Sequence, residues 1–221
     1  MAAEEGREAE SVRIARQIRD DIINGTRPQG SKLVERDLAN ELGVSRVPVR
    51  DALKALVAEG LVTPRPRTWA VVREFTKSDI ADLQEVRFAL ETVTFKLAAQ
   101  RRTRAGLQQL RAVLDAELDA AASGDAVTAR RIAAEFHECA TELAGNHVFD
   151  ELELTLRSRM RWLLGQHDDL AKVAEEHRLL YEAIERRDVA GVEALVLRHL
   201  ETGRAQQEAR AHKVDRPAGQ S

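Results

Sequence analysis

The stretch GVSRVPVRDALKALVAEG, from Gly43 to Gly60, constrains the fold more than any other part of the chain. Val49, Ala52, Leu53, Leu56 and Val57 recur at helical spacing and form one apolar stripe. Arg46, Arg50 and Lys54 follow one another at four-residue steps and make a basic edge away from that stripe. Ser45 suits the N-cap, Pro48 fits the first turn, and Gly60 suits the stop. A short helix over about 34–42, with Leu38 and Leu42 inward, precedes it, and Gly43 and Val44 leave room only for a tight turn. A further helix over about 11–24 carries Ile14, Ile18 and Ile22 on one face. Downstream, LVTPRPRTWAVVREF predicts two short strands, Leu61 to Thr63 and Trp69 to Arg73, around a tip bearing Arg65 and Arg67. Three helices, a tight turn and a two-stranded wing make a winged helix-turn-helix. In such a fold the helix of Arg46, Arg50 and Lys54 enters the major groove, N-terminal end first, and Arg65 and Arg67 meet backbone or minor groove. The plainer alternative is a helical hairpin whose arginines only solvate it.

From Thr76 onward the apolar periodicity predicts helices over about 78–100, 104–122, 126–144, 148–164, 170–187 and 190–206. Their expected inward residues are Ile80, Leu83, Val86, Leu90, Val93 and Leu97; Leu107, Leu110, Leu114 and Leu118; Ile132, Phe136 and Leu143; Leu152, Leu156 and Leu163; Val173, Leu180 and Ile184; and Val192, Leu195 and Val196. The fold class is therefore mainly α, an N-terminal winged helix-turn-helix followed by an all-helical bundle. The expected divisions are a disordered tail over 1–10, the DNA-binding domain over 11–75, the helical domain over 76–206 and a second disordered tail over 207–221. Charge divides the same way: residues 11–75 hold 12 Lys and Arg against 8 Asp and Glu, and residues 76–221 hold 21 against 25. A basic block ahead of an acidic remainder points to a polyanion as the first domain's partner. No apolar run reaches membrane-spanning length, the first ten residues lack the apolar core of a signal peptide, and a lone Cys139 allows no internal disulfide, so the expected compartment is the cytoplasm.

The informative residues are polar ones inside apolar stripes. His137, His177 and His199 each fall on the inward face of a different helix, and His137 has small neighbours in Ala133, Ala134, Ala140 and Thr141. One inward histidine is ordinarily a hydrogen-bonded core residue. Three converging imidazoles make a site for a divalent metal such as Zn or Ni with a position open to ligand. Arg87 lies between Leu83 and Leu90 on an inner stripe and needs an anion: either Glu91 one turn on, or the carboxylate of a bound effector. Arg157 and Arg161 are weaker effector-binding candidates. His147, His167 and His212 read as surface residues, and Cys139 as a small core filler.

The segment LVERDLANELGVSRVPVRDALKALVAEGLV resembles the DNA-binding domain of the GntR family of bacterial transcription regulators. EVRFALE, EFHECATELAGN, EEHRLLYEAIERRD and VEALVLRHL resemble the effector domain of its FadR subfamily, the FCD domain, and the likeness runs from about residue 11 to 206. The resemblance implies a homodimer on palindromic double-stranded operator DNA, more often a repressor, whose DNA affinity is set by a small carboxylate in a bundle of six or seven helices. It implies DNA contacts by Arg36, Ser45, Arg46, Arg50 and the wing, a metal held by His137, His177 and His199, and an effector near Arg87. Two positions depart from the family pattern. Ala133 stands where an aspartate ligand is expected, and Glu135, two residues along the helix, points elsewhere. The wing carries Thr68 and Trp69 where a glycine is usual. Two rivals remain on sequence alone: a metal-dependent hydrolase-like enzyme, which lacks an evident inward base, and a regulator with a purely structural metal and no effector.

Overall fold

The structure, a computed structural model, describes residues 9–65 and 69–214. In chain order its elements are α1 (Glu10–Ile23), β1 (Lys32–Val34), α2 (Glu35–Leu42), α3 (Arg46–Ala58), β2 (Val62–Arg65), β3 (Trp69–Val72), α4 (Lys77–Arg101), α5 (Arg104–Ser123), α6 (Ala126–Ala144), α7 (His147–Leu164), α8 (Leu170–Glu185) and α9 (Val189–Val214). The class is mainly α, with a helix-turn-helix and small sheet ahead of six helices among the described residues. Two compact units result. One ends at Asp79 and includes Thr155–Trp162; the other comprises Ile80–Leu154 and the chain from Leu163 onward.

In the first unit α1 buries Ile14, Ile18 and Ile22, α2 buries Leu38, and α3 buries Val49, Ala52, Leu53 and Leu56. This is the stripe that periodicity predicts. Gly43 ends α2 with φ 65°, a left-handed conformation that turns the chain into α3 within two residues and favours glycine. Ser45 occupies the N-cap of α3 in extended conformation, although its hydroxyl makes no capping bond. Thr155–Trp162 joins this unit through the Ser158 hydroxyl, which donates to Glu59 at 2.6 Å, and through Trp162, stacked 3.9 Å from Phe75. Arg19 grips the same Glu59 carboxylate with two bonds of 2.6 and 2.7 Å.

The expected two-stranded wing is corrected to a three-stranded antiparallel sheet of order β1-β3-β2. Leu33 of β1 faces Ala70, and Val62 of β2 faces Val72. A three-residue strand shows no alternation of its own, and Val34 ends β1 while capping α2. Only pairing with the distant β3 makes β1 a strand. Arg65 ends β2, exposed; Arg67 and Thr68 lie outside the described residues.

In the second unit Phe95, Leu110, Leu114, Phe136, Leu180, Ile184, Val192 and Val196 form the core. Side-chain caps start three of its helices: Thr103 accepts from the Gly106 N–H, Asp125 from Thr128 and Asp169 from Lys172. Two expectations are corrected. Val86 and Val93 on α4 and Leu152 on α7, expected inward, are exposed, as are Phe88, Val148 and Leu154. Apolar residues lie all round α4, so periodicity selects no face; the buried one is Leu83, Arg87, Thr94, Phe95, Ala98 and Ala99. Second, α9 runs on to Val214, so residues 207–214, expected in a disordered tail, are helical. QQEARAHK contains strong helix formers and no Gly or Pro. No helix among the described residues is long and apolar enough to cross a membrane.

Leu33 is fully buried where β1 meets the first unit's core. Leu33→Ala is expected to cost about 2–5 kcal/mol, read as a lowered denaturant midpoint for that unit. A loss within experimental error would show β1 to be ornamental.

Candidate DNA interface and buried histidine site

The basic edge of α3 is built as its spacing implies. Arg46, Arg50 and Lys54 are exposed while the opposite face fills the core, and Arg36 stands exposed in the first turn of α2. Glu35, beside it, organises two of them: its carboxylate accepts from Arg50 Nε and Nη2, each at 3.1 Å, and lies 3.8 Å from Arg46 Nη2. Lys54 pairs with Asp51 at 3.0 Å and Arg36 with Asp37 at 3.1 Å. Pairs whose cation stands in solvent are screened and contribute little to stability, so they orient these cations without locking them from a phosphate. Val47, 64% exposed on the first turn of the same helix, is a surface residue the periodicity analysis passed over. An exposed valine there suits contact with a thymine methyl group.

In the second unit the three inward histidines do converge. His137, His177 and His199, all buried, present ring nitrogens within 4.8 Å of one another. Two rings have a carboxylate behind them. Nδ1 of His177 donates to Glu117, 2.8 and 2.9 Å from its two oxygens, and Nδ1 of His199 donates to Glu176 at 2.7 Å. This fixes the tautomer: the proton sits on Nδ1 and the Nε2 lone pair faces inward. Nε2 of His177 meets Nε2 of His137 at 3.2 Å, where two bare lone pairs would repel, so a proton or a cation belongs between them. Phe136 stacks on His177 at 4.4 Å and fixes its plane. Burial pushes His137 and His199 below the ordinary imidazole range, His199 far below, so both stay neutral at pH 7, the ligating form. Ala133 is buried on α6 with no carboxylate to offer, and Glu135 pairs outward with Arg131 at 2.9 Å. This donor set of three neutral imidazoles, two with carboxylates behind them, fits a divalent metal.

Arg87 is buried to the same depth as Glu117, each 1% exposed. Its Nε donates to Glu91 at 2.8 Å and its Nη2 to Nε2 of His199 at 3.0 Å. Burial alone would raise the Glu91 carboxyl, but Arg87 and His137 outweigh it and hold the group at about 2. Glu91 also lies 3.1 Å from Nδ1 of His137, misaligned for a hydrogen bond. His167, expected at the surface, is corrected: it is 2% exposed. It follows the end of α7 in a turn, where no helical face declares itself, and Nδ1 donates to Gln206 of α9 at 3.1 Å. Four buried polar atoms here lack a partner: Arg87 Nη1, Glu91 Oε2, His137 Nδ1 and His167 Nε2.

Other expectations fall elsewhere. Arg157 and Arg161 belong to Thr155–Trp162 and so group with the first unit rather than with the histidines; Arg161 lies within electrostatic reach of Arg19. His147 is exposed, and the side chain of His212 lies outside the described residues. Cys139 packs in the core, its thiol pushed up to about 11 by burial and then by Glu142 and Glu135. Glu117 escaped sequence analysis although its signal was present: it lies three residues after Leu114 and seven after Leu110, on the apolar stripe.

Comparison with known proteins places these two sites in context. The family model for bacterial regulatory proteins of the gntR family matches residues 10–72, and that for the FCD domain matches residues 82–202. The HTH-type transcriptional regulator LutR of Bacillus subtilis is 33% identical over 204 residues, covering 81% of this chain and 92% of LutR. The gluconate operon transcriptional repressor of the same organism is 28% identical over 188 residues, covering 81% and 77%. Among solved structures, McbR/YncC of E. coli superposes with a TM-score of 0.81 at 21% identity, over 93% of this chain and all of that one, a likeness of fold.

The buried imidazoles make stability pH-dependent. Burial, then Arg87, lowers His167 to about 4, whereas the unfolded ring titrates near 6.5. Between those values the unfolded chain binds more protons than the folded one, so stability is lost as pH falls from about 6.5 to 4. The slope is about 1.4 kcal/mol per pH unit for each such histidine. Denaturant midpoints measured across this window are expected to drop on acidification, and less steeply in His167→Phe. An equal slope in wild type and variant would contradict the assignment.

Proposed function

Since the chain belongs to the GntR family of DNA-binding transcription regulators and carries an FCD domain, we propose that it is a cytoplasmic, homodimeric repressor released from or directed to a palindromic operator by a small organic acid. In this reading residues 11–75 grip the DNA and residues 76–206 bind the acid and dimerise. The chain is a regulator, not an enzyme, which removes the hydrolase alternative. A relative that is a gluconate operon repressor supports the repressor assignment.

The observation that carries the ligand half is the cluster of unpartnered buried atoms around Arg87, since leaving such groups unpaired costs about 1–3 kcal/mol each. A purely structural metal leaves Arg87 Nη1 without a partner; a carboxylate supplies one. His137, His177 and His199 would hold the divalent metal through ring nitrogens, the His199 Nε2 lone pair passing from Arg87 Nη2 to the ion, which would supply positive charge to an anionic ligand. Glu117 and Glu176 orient two of the rings. Arg87 binds the acid's carboxylate and Glu91 keeps the guanidinium in place. The exposed Val86 and Val93 of α4 and Val148 and Leu152 of α7 support dimerisation, because apolar side chains left exposed on two helices of one unit suit burial against a second copy.

On the DNA side, Arg46 and Arg50 lie at the N-terminal end of the helix that enters the major groove, with Ser45 and Arg36 beside phosphate positions and Lys54 and Arg65 adding charge. Arg50→Ala is expected to weaken operator binding by about 1–3 kcal/mol, roughly tenfold to a hundredfold in a fluorescence-anisotropy titration, without changing the melting temperature. Unchanged affinity would remove Arg50 from the interface. For the metal, purified protein is expected to carry one Zn, Ni or similar ion per chain by elemental analysis, and His177→Ala to lose it. Wild-type protein that stays metal-free after incubation with Zn and Ni salts would overturn the metal assignment and leave the DNA assignment standing.

A further inference from the structure

Single exposed valines are ordinary on a protein surface, but Val47 stands where one has consequences. It is 64% exposed on the first turn of α3, immediately after Arg46. Successive residues of an α-helix turn by about 100°, so Val47 points about 190° away from the mean direction of the buried Val49, Ala52, Leu53 and Leu56. It is the crest of the helix, opposite the core. Arg46, Arg50 and Lys54 lie to one side of that crest and Asp51 about 40° to the other, all exposed. Glu35 at the start of α2 engages Arg50 and Arg46, and Asp51 pairs with Lys54 at 3.0 Å.

These charges decide what the crest meets. Phosphate attracts the flank of Arg46, Arg50 and Lys54 and repels the carboxylate of Asp51, so the Asp51 flank is kept off the DNA backbone and the crest between them faces base edges. An isopropyl group donates and accepts nothing there. Its match is the one apolar feature of the major groove, the C5 methyl group of thymine; cytosine presents an amino donor and no methyl. Valine is also a weaker helix former than alanine or lysine, so at an exposed site its worth lies in contact rather than in the helix.

We propose that Val47 is a specificity-determining residue that reads one thymine methyl group in each half-site of the operator. This contact rests on the operator-binding reading above and adds to it an apolar selection of thymine over cytosine, beside the charged contacts of Arg46 and Arg50.

The test begins with selection of bound duplexes from a random-sequence library by the full-length protein. Each thymine of the enriched site is then replaced by deoxyuridine, which lacks only the methyl group, at the same position of both half-sites. Affinities of the wild type and Val47→Ala are compared by fluorescence anisotropy. At one position the wild type is expected to lose about fourfold per methyl group, about fifteenfold for the symmetric pair. In Val47→Ala the same replacement is expected to change affinity by less than about twofold. Comparing the two proteins cancels any effect of uracil on the duplex itself. Val47→Ala is expected to keep the wild-type melting temperature, since the side chain is exposed and alanine favours the helix, and to select thymine and cytosine equally at that position. Tolerance of uracil at every thymine, or a penalty that persists in Val47→Ala, overturns the role of Val47 and leaves operator binding standing. Failure of the wild type to enrich any sequence overturns both.

Discussion

The buried imidazole–carboxylate pair is the interaction around which the helical unit is organised. A neutral imidazole in a core must place two nitrogens, one donor and one acceptor, and water is not there to help. Glu117 and Glu176 each take an Nδ1 proton, at 2.8 and 2.7 Å, and so turn two Nε2 lone pairs toward a common region. Everything near them follows from that orientation. The ring nitrogens lie within 4.8 Å of one another, Arg87 donates to the His199 lone pair, a bond that a shared cation would displace, and Glu91 balances Arg87. Replacing a backing carboxylate would free the ring to exchange tautomers and would leave its Nδ1–H buried and unpaired.

Periodicity is legible where a stripe is unambiguous and silent where it is not. The helix-turn-helix was readable because the apolar stripe and basic edge of α3 are segregated, Gly43 fixes the turn before it, and the helices and strands around it carry patterns of their own. The three converging histidines were readable because each interrupts an apolar row. On α4 the same reasoning was right for Leu83 and wrong for Val86 and Val93, which are exposed while Thr94, Phe95, Ala98 and Ala99 are buried. Small side chains permit close helix approach, and that is a property of the neighbouring helices rather than of the row itself. β1 depends on a partner strand far along the chain. His167 sits in a turn, where burial has no period. Glu117 was legible, but a glutamate beside a run of leucines reads as surface until a histidine is known to face it.

The two units differ in how they treat charge. On α3 the arginines are exposed and pair with Glu35 weakly enough to yield it to a polyanion, whose condensed counterions provide the driving force on release. In the helical unit charge is buried and paired with short, directed bonds, so a ligand gains little by attraction at a distance and much by completing what is missing. The first arrangement suits a partner that is long and uniform, read by position along a groove; the second suits one that is small and chemically particular.

That contrast bears on why the cluster exists at all. Buried ion pairs are weak evidence for stability, since well-packed apolar side chains of similar volume often do as well or better. A core built only to hold six helices together has no use for Arg87, Glu91, Glu117 and four histidines. Yet Phe95, Phe136 and Leu114 pack soundly in the same unit. Each unpartnered atom among Arg87, Glu91, His137 and His167 lowers the stability of the fold standing alone, and under the proposed function a ligand of matching polarity would recover it. A regulator needs that difference: the free energy withheld from the fold in the absence of ligand is the free energy available to distinguish its two states.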